Sequence, residues 1–381
     1  MAFEPPLDPT TLPAPVQRVI APATPAPMRA MAARGMVPGL RPEQIVTVMA
    51  LLAFGELGHV EPATKELAQA TLSKLAPPIL QGALASPELP GPVLGKLAEQ
   101  YVGDAAIIEK VVLHPQVTIE TMMHLAKLGG EAVTELVAVN EERLLQHPSI
   151  IEALYLNKKT RMSTADRVLD LAVRNGKTLA LPAFREAAEA IVDELITAPD
   201  AEPTPDDILF AEAQEAGDAI DASKGDGETI VKEDDEGKEI IEEKAKPLEQ
   251  RIRDMTVSQK IRTAMLGGPA ARALLVRDKN RLVAQAVIRS PLIQEPEVAH
   301  MASSRAVSED VLRLIGSNGE FTKSHQIKYN LVANPKTPMS IALRLLQHLR
   351  LDELRKLSKS RNVSGQIAKM ARQEVDKKKP K

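Results

Sequence analysis

The chain has 381 residues, 44% of them hydrophobic, and a formal net charge of −3 at pH 7. Because it contains no cysteine, disulfides, thiolate metal sites and cysteine nucleophiles are excluded. Tryptophan is absent and only three tyrosines and five phenylalanines accompany the aliphatic residues, so the composition favours helices over strands.

The start of the chain carries no targeting pattern. Residues 1–6 contain no basic segment followed by an apolar core, as a secretory signal would. The longest apolar stretch, Val46 to Phe54, is about half the length that a bilayer-spanning helix needs. The sequence therefore predicts a cytoplasmic protein that does not insert into a membrane.

Proline dominates the first 41 residues. It occupies nine of these positions, which are 5, 6, 9, 13, 15, 22, 25, 27 and 38. Such a segment cannot hold a hydrogen-bonded ladder and has little apolar surface to bury. Residues 1–41 are therefore predicted to form a disordered, Pro/Ala-rich arm.

Residues 42–196 have the pattern of short helices in close succession. Apolar residues recur with a period near 3.6 and are interrupted every ten to fifteen residues by Pro or Gly, which end helices or begin new ones. Leu128-Gly129-Gly130 is one such helix stop. No alternating run is long enough for a sheet. This range is predicted to be a first helical-repeat block.

Acidic residues dominate the next segment. Between residues 200 and 246 there are seventeen Asp and Glu against five Lys, and few large apolar residues. Such composition is typical of chain that does not fold by itself. Residues 197–249 are predicted to be a disordered acidic linker, with short helical pieces near Ile208 to Ala216 and Glu239 to Lys246.

The short-helix pattern returns in residues 250–375, predicted to be a second, basic helical-repeat block, followed by a basic tail at 376–381. Residues 251–381 hold twenty-six Lys and Arg against eleven Asp and Glu. Leu266-Gly267-Gly268 repeats the helix stop of the first block. An acidic linker beside a basic block indicates binding to charged partners, or shielding of the block by the linker. It does not specify the fold.

A polar residue, often followed by Pro, recurs between the end of one helix and the start of the next. The copies are Leu113-His114-Pro115, Leu156-Asn157-Lys158, Arg289-Ser290-Pro291, Ala333-Asn334-Pro335 and, in weaker form, Ser304-Arg305-Ala306 and Ser360-Arg361-Asn362. Pro115 and Lys158 are 43 residues apart, and Pro291 and Pro335 are 44 apart. Intervals of this size are typical of helical solenoids.

The clearest copy predicts how one unit folds. Thr337 is expected to cap a helix and Pro338 to occupy its first turn. An apolar stripe then follows at helical spacing, made by Ile341, Ala342, Leu345, Leu346 and Leu349. One helix pair cannot bury such a stripe alone, so neighbouring units must stack.

The segment Leu331 to Pro338, the Leu-rich helix after it and the restart Ser360 to Val363 resemble the leucine-rich-repeat-variant and HEAT-like α-solenoid proteins. The resemblance covers residues 280–372 well and 86–175 loosely. It implies an all-α fold of HEAT-like repeats, here in two blocks joined by the disordered acidic linker. Some variant-repeat proteins carry an N-terminal cysteine cluster for an iron–sulfur centre, and the absence of cysteine excludes that cofactor.

Sequence motifs for catalysis are not found. The seven histidines form no His-Glu-x-x-His pair, and neither a phosphate loop nor a dinucleotide fingerprint occurs. We therefore predict no catalytic, cofactor-binding or metal-ligating residue, no cofactor and no small-molecule substrate. The weaker alternative is an enzyme whose site is assembled from residues that no motif identifies.

The basic block supplies the candidate contact residues. These are Arg344, Arg350, Arg355, Lys356, Lys359, Arg361, Lys369 and Arg372. They suit either phosphate groups or an acidic protein surface. Single-strand binders interleave aromatic residues with such charges, and only Phe321 and Tyr329 are at hand. The sequence thus favours a scaffold or adaptor that binds proteins, and the alternative is a nucleic-acid- or ribosome-associated factor.

Overall fold

The computed structural model describes residues 3–192, 194, 196, 202–224, 230–233, 239–360 and 362–378. In this part of the chain there are twenty-four α-helices, α1 to α24, and one two-stranded antiparallel ladder. The predicted all-α class is confirmed. The chain divides into two compact units, Met1–Thr164 (unit 1) and Ala165–Lys381 (unit 2), so the predicted linker lies wholly inside unit 2.

Unit 1 is built from short helices, many of which have Pro in the first turn, where the missing N–H has no intrahelical acceptor. They are α1 Ala14–Ile20, α2 Ala26–Ala33, α3 Pro42–Phe54, α4 Pro62–Leu72, α5 Pro77–Ala85, α6 Gly91–Gln100, α7 Ala105–Val112, α8 Ile119–Leu128, α9 Glu131–Ala138, α10 Glu141–Gln146 and α11 Pro148–Leu156. The division between the units falls within α12, Met162–Arg174. A 3-10 turn, Pro9–Thr11, precedes α1.

The first 41 residues differ from the predicted extended arm. Helices α1 and α2 pack against α3 and α4, and Val16, Val19 and Ile20 are buried. The prolines of these two helices occupy the first turn and do not interrupt the backbone ladder. Helical spacing of three aliphatic residues therefore outweighs the proline content, because their burial offsets the loss of chain entropy.

Helices of unit 1 pack on their next-but-one neighbours. α3 contacts α5, α5 contacts α7, α7 contacts α9 and α9 contacts α11. The predicted stop at Gly129 is confirmed, since α8 ends at Leu128 and α9 begins at Glu131. A Cβ atom on Gly129 would overlap the Leu125 carbonyl oxygen, so glycine permits this close approach of the two backbone segments.

Unit 2 continues after α12 with α13 Phe184–Ile191, α14 Pro205–Ala222, β1 Val231–Glu233, β2 Glu239–Ile241, α15 Lys246–Asp254, α16 Val257–Leu266, α17 Pro269–Leu275, α18 Arg281–Ile288, α19 Glu295–Ser303, α20 Glu309–Ser317, α21 His325–Ala333, α22 Met339–Leu346, α23 Leu351–Lys359 and α24 Gly365–Lys378. 3-10 turns occupy Glu243–Ala245 and Phe321–Lys323. The antiparallel register pairs Val231 with Ile241 and Glu233 with Glu239.

The acidic segment also differs from its prediction as a disordered linker. Its described part forms α14, which packs against α15, α16 and α17, and only 197–201, 225–229 and 234–238 of the segment lie outside the described residues. The buried residues of α14 include Phe210, Ala213, Gly217 and Ile220. These residues form an apolar stripe along one side of the helix. Because many residues around them are acidic, the overall composition of the segment does not reveal this stripe.

Side chains of this segment contact other residues of unit 2. Glu212 pairs with Arg251 at 3.1 Å, and the Phe210 ring faces the buried Arg262 guanidinium at 4.8 Å. The N–H of Ala270 donates to Asp221 at 2.9 Å. The predicted helical piece near 208–216 is thus confirmed, whereas residues 239–241 form a strand.

Helices of unit 2 are stacked in two rows. In one row α16 contacts α18, α18 contacts α20, α20 contacts α22 and α22 contacts α24, and in the other α17 contacts α19 and α19 contacts α21. The predicted stripe from Ile341 to Leu349 is buried. Thr337 does not cap α22, because the helix begins after Pro338, and its hydroxyl group is buried without a hydrogen bond.

The recurring polar residue ties one helix end to the next. Nδ2 of Asn334 donates to the carbonyl oxygens of Ala302 at 2.9 Å and Ser304 at 2.8 Å. Its Oδ1 accepts the N–H of Lys336 at 3.0 Å. Asn157 of unit 1 makes the same three hydrogen bonds, to the carbonyl oxygens of Ala126 and Gly129 and the N–H of Lys159, each at 2.9 Å. The two asparagines therefore occupy equivalent structural positions.

Candidate functional site

The predicted contact residues lie together on the last three helices, except that Arg361 is outside the described residues. Arg344 is on α22, Arg350 precedes α23, Arg355, Lys356 and Lys359 are on α23, and Lys369 and Arg372 are on α24. Both α22 and α23 pack against α24. Leu354 and Leu357 of α23 and Ile367 and Ala371 of α24 are buried, so the cations occupy the opposite, solvent-facing sides.

Five of these cations define what we term the basic surface, namely Arg355, Lys356, Lys359, Lys369 and Arg372. All five are exposed, and none forms an ion pair or side-chain hydrogen bond within the described residues. Some exposed cations elsewhere in unit 2 bind a carboxylate on their own helix, as Arg185 binds Glu189 at 2.8 Å and Arg313 binds Glu309 at 2.7 Å. The basic surface therefore leaves its charges free for another molecule.

Of the two remaining predicted residues, Arg344 binds within the fold through its side chain, whereas Arg350 does so through its backbone N–H. Nη2 of Arg344 donates to the Gly316 carbonyl oxygen at 2.5 Å. The N–H of Arg350 donates to the Glu353 carboxylate at 2.9 Å, and His325 lies 2.8 Å from the same carboxylate. Partial burial opposes ionisation of Glu353, but these hydrogen bonds outweigh it and lower the pKa of the carboxyl group.

A groove of about 560 Å³ opens beside the basic surface, where α19, α21 and α23 end. We term it the turn groove. Its walls are three equivalent turns, in which a side-chain oxygen accepts the N–H of the residue two positions later. The three bonds are Ser304 with Ala306 at 3.2 Å, Asn334 with Lys336 at 3.0 Å and Ser360 with Asn362 at 3.2 Å.

The charged residues in the three chain segments that contain these turns are all basic. Residues 299–308, 327–338 and 354–366 contain seven Lys and Arg and no Asp or Glu. Arg305, which lines the groove, is exposed and has no ion-pair partner among the described residues. Tyr329 and Asn362 also line the groove, and their side chains make no hydrogen bond within that part of the chain. The groove thus presents unused donors.

Sequence analysis did not identify the turn groove, because its walls lie about 30 residues apart along the chain. The recurring polar residues Ser304, Asn334 and Ser360 were the available indication. They were recognised as repeat boundaries, but the stacking that places the three turns side by side is a tertiary property.

A second polar cluster lies in unit 2. The Ser258 hydroxyl donates to Asp166 at 2.5 Å, and the Ser258 N–H donates to Glu194 at 2.9 Å. Burial, with a smaller contribution from Glu194, raises the pKa of Asp166 to about 7. Ser258 is fully buried, whereas Asp166 and Glu194 are partly exposed.

Comparisons with known proteins leave the family open. No protein-family model matches the chain, and no curated protein or solved structure is similar to it. Across the described residues, no group of His, Asp and Glu side chains has an arrangement that could hold a metal ion. Among the helices in those residues, none has both the length and the apolar character that crossing a membrane requires.

Proposed function

We propose that this protein is a non-catalytic adaptor that binds another protein through its stacked helices, and that the basic surface makes the contact with acidic side chains. The observation that carries the proposal is the set of five exposed cations on α23 and α24 that lack an intramolecular partner. Free charges of one sign attract and orient a complementary surface and select against like-charged ones.

The architecture proposed for this function is a HEAT-like solenoid similar to the leucine-rich-repeat-variant proteins. Packing of many helices on their next-but-one neighbours supports it. So do the matching hydrogen bonds of Asn157 and Asn334. Stacked repeats present long ridged faces that suit protein recognition.

In the alternative interpretation, the exposed cations only keep the protein soluble, because terminal repeats need a polar outer face.

The decisive experiment is affinity capture from native lysate by the full-length chain, with and without nuclease, read by quantitative mass spectrometry. One variant replaces the basic surface, changing Arg355, Lys356, Lys359, Lys369 and Arg372 to Gln. A matched control replaces five exposed cations that pair on their own helices, Arg174, Arg185, Arg253, Arg313 and Lys323.

We expect the wild type and the control to retain the same acidic proteins after nuclease treatment, and the basic-surface variant to lose them. Loss of all captured proteins on nuclease treatment would instead assign the surface to nucleic acid. Identical captures by all three proteins would leave the cations with a solubility role only. Circular dichroism of each variant checks that the helices are intact.

A further inference from the structure

The turn groove has the length of a short extended peptide. Helices in contact lie about 8–10 Å apart, so the three turns at the ends of α19, α21 and α23 span roughly 20 Å. An extended chain advances about 3.3 Å per residue, which corresponds to about six residues. The groove volume of about 560 Å³ also lies in the range of about 300–1,000 Å³ typical of ligand sites.

Charge specifies the chemical class of the occupant. The three chain segments that form the walls carry no carboxylate, and Arg305 in one wall has no counter-ion within the described residues. Lys336, Lys356 and Lys359 are exposed and adjoin lining residues in the sequence, with the same lack of partners. An acidic segment would therefore meet Arg305 in the groove, lysines that adjoin its lining residues in the sequence, and no carboxylate among the lining residues.

The uncharged lining favours a peptide over a helix or a nucleic acid. The Tyr329 hydroxyl and the Asn362 amide are free donors suited to carbonyl oxygens of an extended backbone, whereas a docked amphipathic helix requires an apolar groove. Tyr329 and His300 are the two residues with aromatic rings among those that line the groove. Successive bases need a series of such rings to stack on.

We propose that the turn groove binds an acidic segment of a partner protein in an extended conformation. Arg305 and the flanking lysines pair with its carboxylates, and Tyr329 and Asn362 donate to its backbone carbonyl oxygens. This inference rests on the proposed adaptor function and specifies where and in which conformation the partner binds.

The test is fluorescence anisotropy with the full-length chain and three labelled probes. These are a decapeptide of alternating Glu and Gly, the same peptide with Gln in place of Glu, and an oligouridine of equal length. We expect the Glu peptide to bind at least about tenfold more tightly than the Gln peptide, with an affinity that falls as salt screens the charges. Tighter binding of the oligouridine than of the Glu peptide would overturn the assignment to protein.

Variants locate the binding within the fold. Arg305→Gln and Tyr329→Phe are each expected to weaken the affinity for the Glu peptide by about threefold to tenfold. Tyr329→Phe keeps the ring and removes the hydroxyl group. Arg313→Gln is the matched control, since Arg313 is exposed and bound to Glu309 on its own helix, and it should change the affinity by less than about twofold.

The experiments distinguish a wrong assignment of the groove from a wrong assignment of the adaptor function. If replacement of the basic surface abolishes peptide binding but Arg305→Gln and Tyr329→Phe do not weaken it, the groove assignment is wrong while the adaptor function stands. If the Glu peptide does not bind the wild type, the groove assignment is also wrong. The lysate capture then decides the adaptor function independently.

Discussion

Replacement of Asn334 by Ala tests the hydrogen bonds that join successive repeats. Asn334 is 5% exposed, and its side chain donates to Ala302 and Ser304 and accepts from Lys336. Each hydrogen bond contributes about 0.5–1.5 kcal/mol net, and buried carbonyl oxygens left without a donor add to the loss. We therefore expect the free energy of unfolding of unit 2 to fall by about 3 kcal/mol.

The assay is thermal unfolding followed by circular dichroism and calorimetry. For a unit of roughly 200 residues, a loss of about 3 kcal/mol lowers the melting temperature by roughly 6–12 °C. Asn362→Ala is the matched control, because Asn362 lies in the next turn of the same kind with its side chain exposed, and it should change the free energy by less than about 0.5 kcal/mol. If the two variants melt at the same temperature, the interrepeat hydrogen bonds do not stabilise the stack as argued.

Three further perturbations test separate parts of the fold. Burial raises the pKa of Asp166 from 3.8 to about 7, so the folded chain holds the extra proton and stability falls as pH rises from about 4 to about 7. Asp166→Asn, which keeps an acceptor for Ser258, should therefore gain about 2.6 kcal/mol relative to the wild type between about pH 5 and about pH 8 in urea unfolding; an equal difference at both values contradicts the shift. Gly129→Ala should destabilise unit 1 by about 1–3 kcal/mol, because its Cβ would meet the Leu125 carbonyl oxygen, whereas Gly130→Ala, with open space around the new atom, should be nearly neutral in the same melt. Val16→Asp should lower the free energy of unfolding by about 2 kcal/mol or more, because Val16 is buried in the packed helix α1. An unchanged melting temperature would support the predicted disordered arm instead.

The helical class and several helix ends could be predicted because they depend on the local spacing of residues. The glycine stops, the apolar stripe on α22 and the recurring polar residues each depend on neighbours in the sequence. Their structural counterparts appear in Gly129 and Gly267 at helix ends and in the paired geometry of Asn157 and Asn334.

The segments whose structure differs from the prediction share one feature, which is that their composition hides the helical spacing of their apolar residues. In α1 and α2 the prolines begin helices, and in α14 a stripe headed by Phe210 lies among carboxylates. Composition reports average burial, whereas a helix needs only one apolar side.

Tertiary placement explains the rest of the difference between sequence and structure. Arg344 and Arg350 match the basic pattern of their neighbours, yet Arg344 binds the Gly316 carbonyl oxygen and the backbone N–H of Arg350 binds Glu353. The turn groove needs three turns brought together from separate repeats. No local pattern encodes which cations find partners after stacking.

Hydrogen–deuterium exchange of the full-length chain with the Glu–Gly decapeptide tests the central claim most directly, since it reports where an acidic partner binds. The informative amides are those of Ala306, Lys336 and Asn362, which are held only by side-chain oxygens in the three turns. The account predicts slower exchange in these turns and on α23, with no change in unit 1. Slower exchange confined to other helices, or none at saturating peptide, would contradict it.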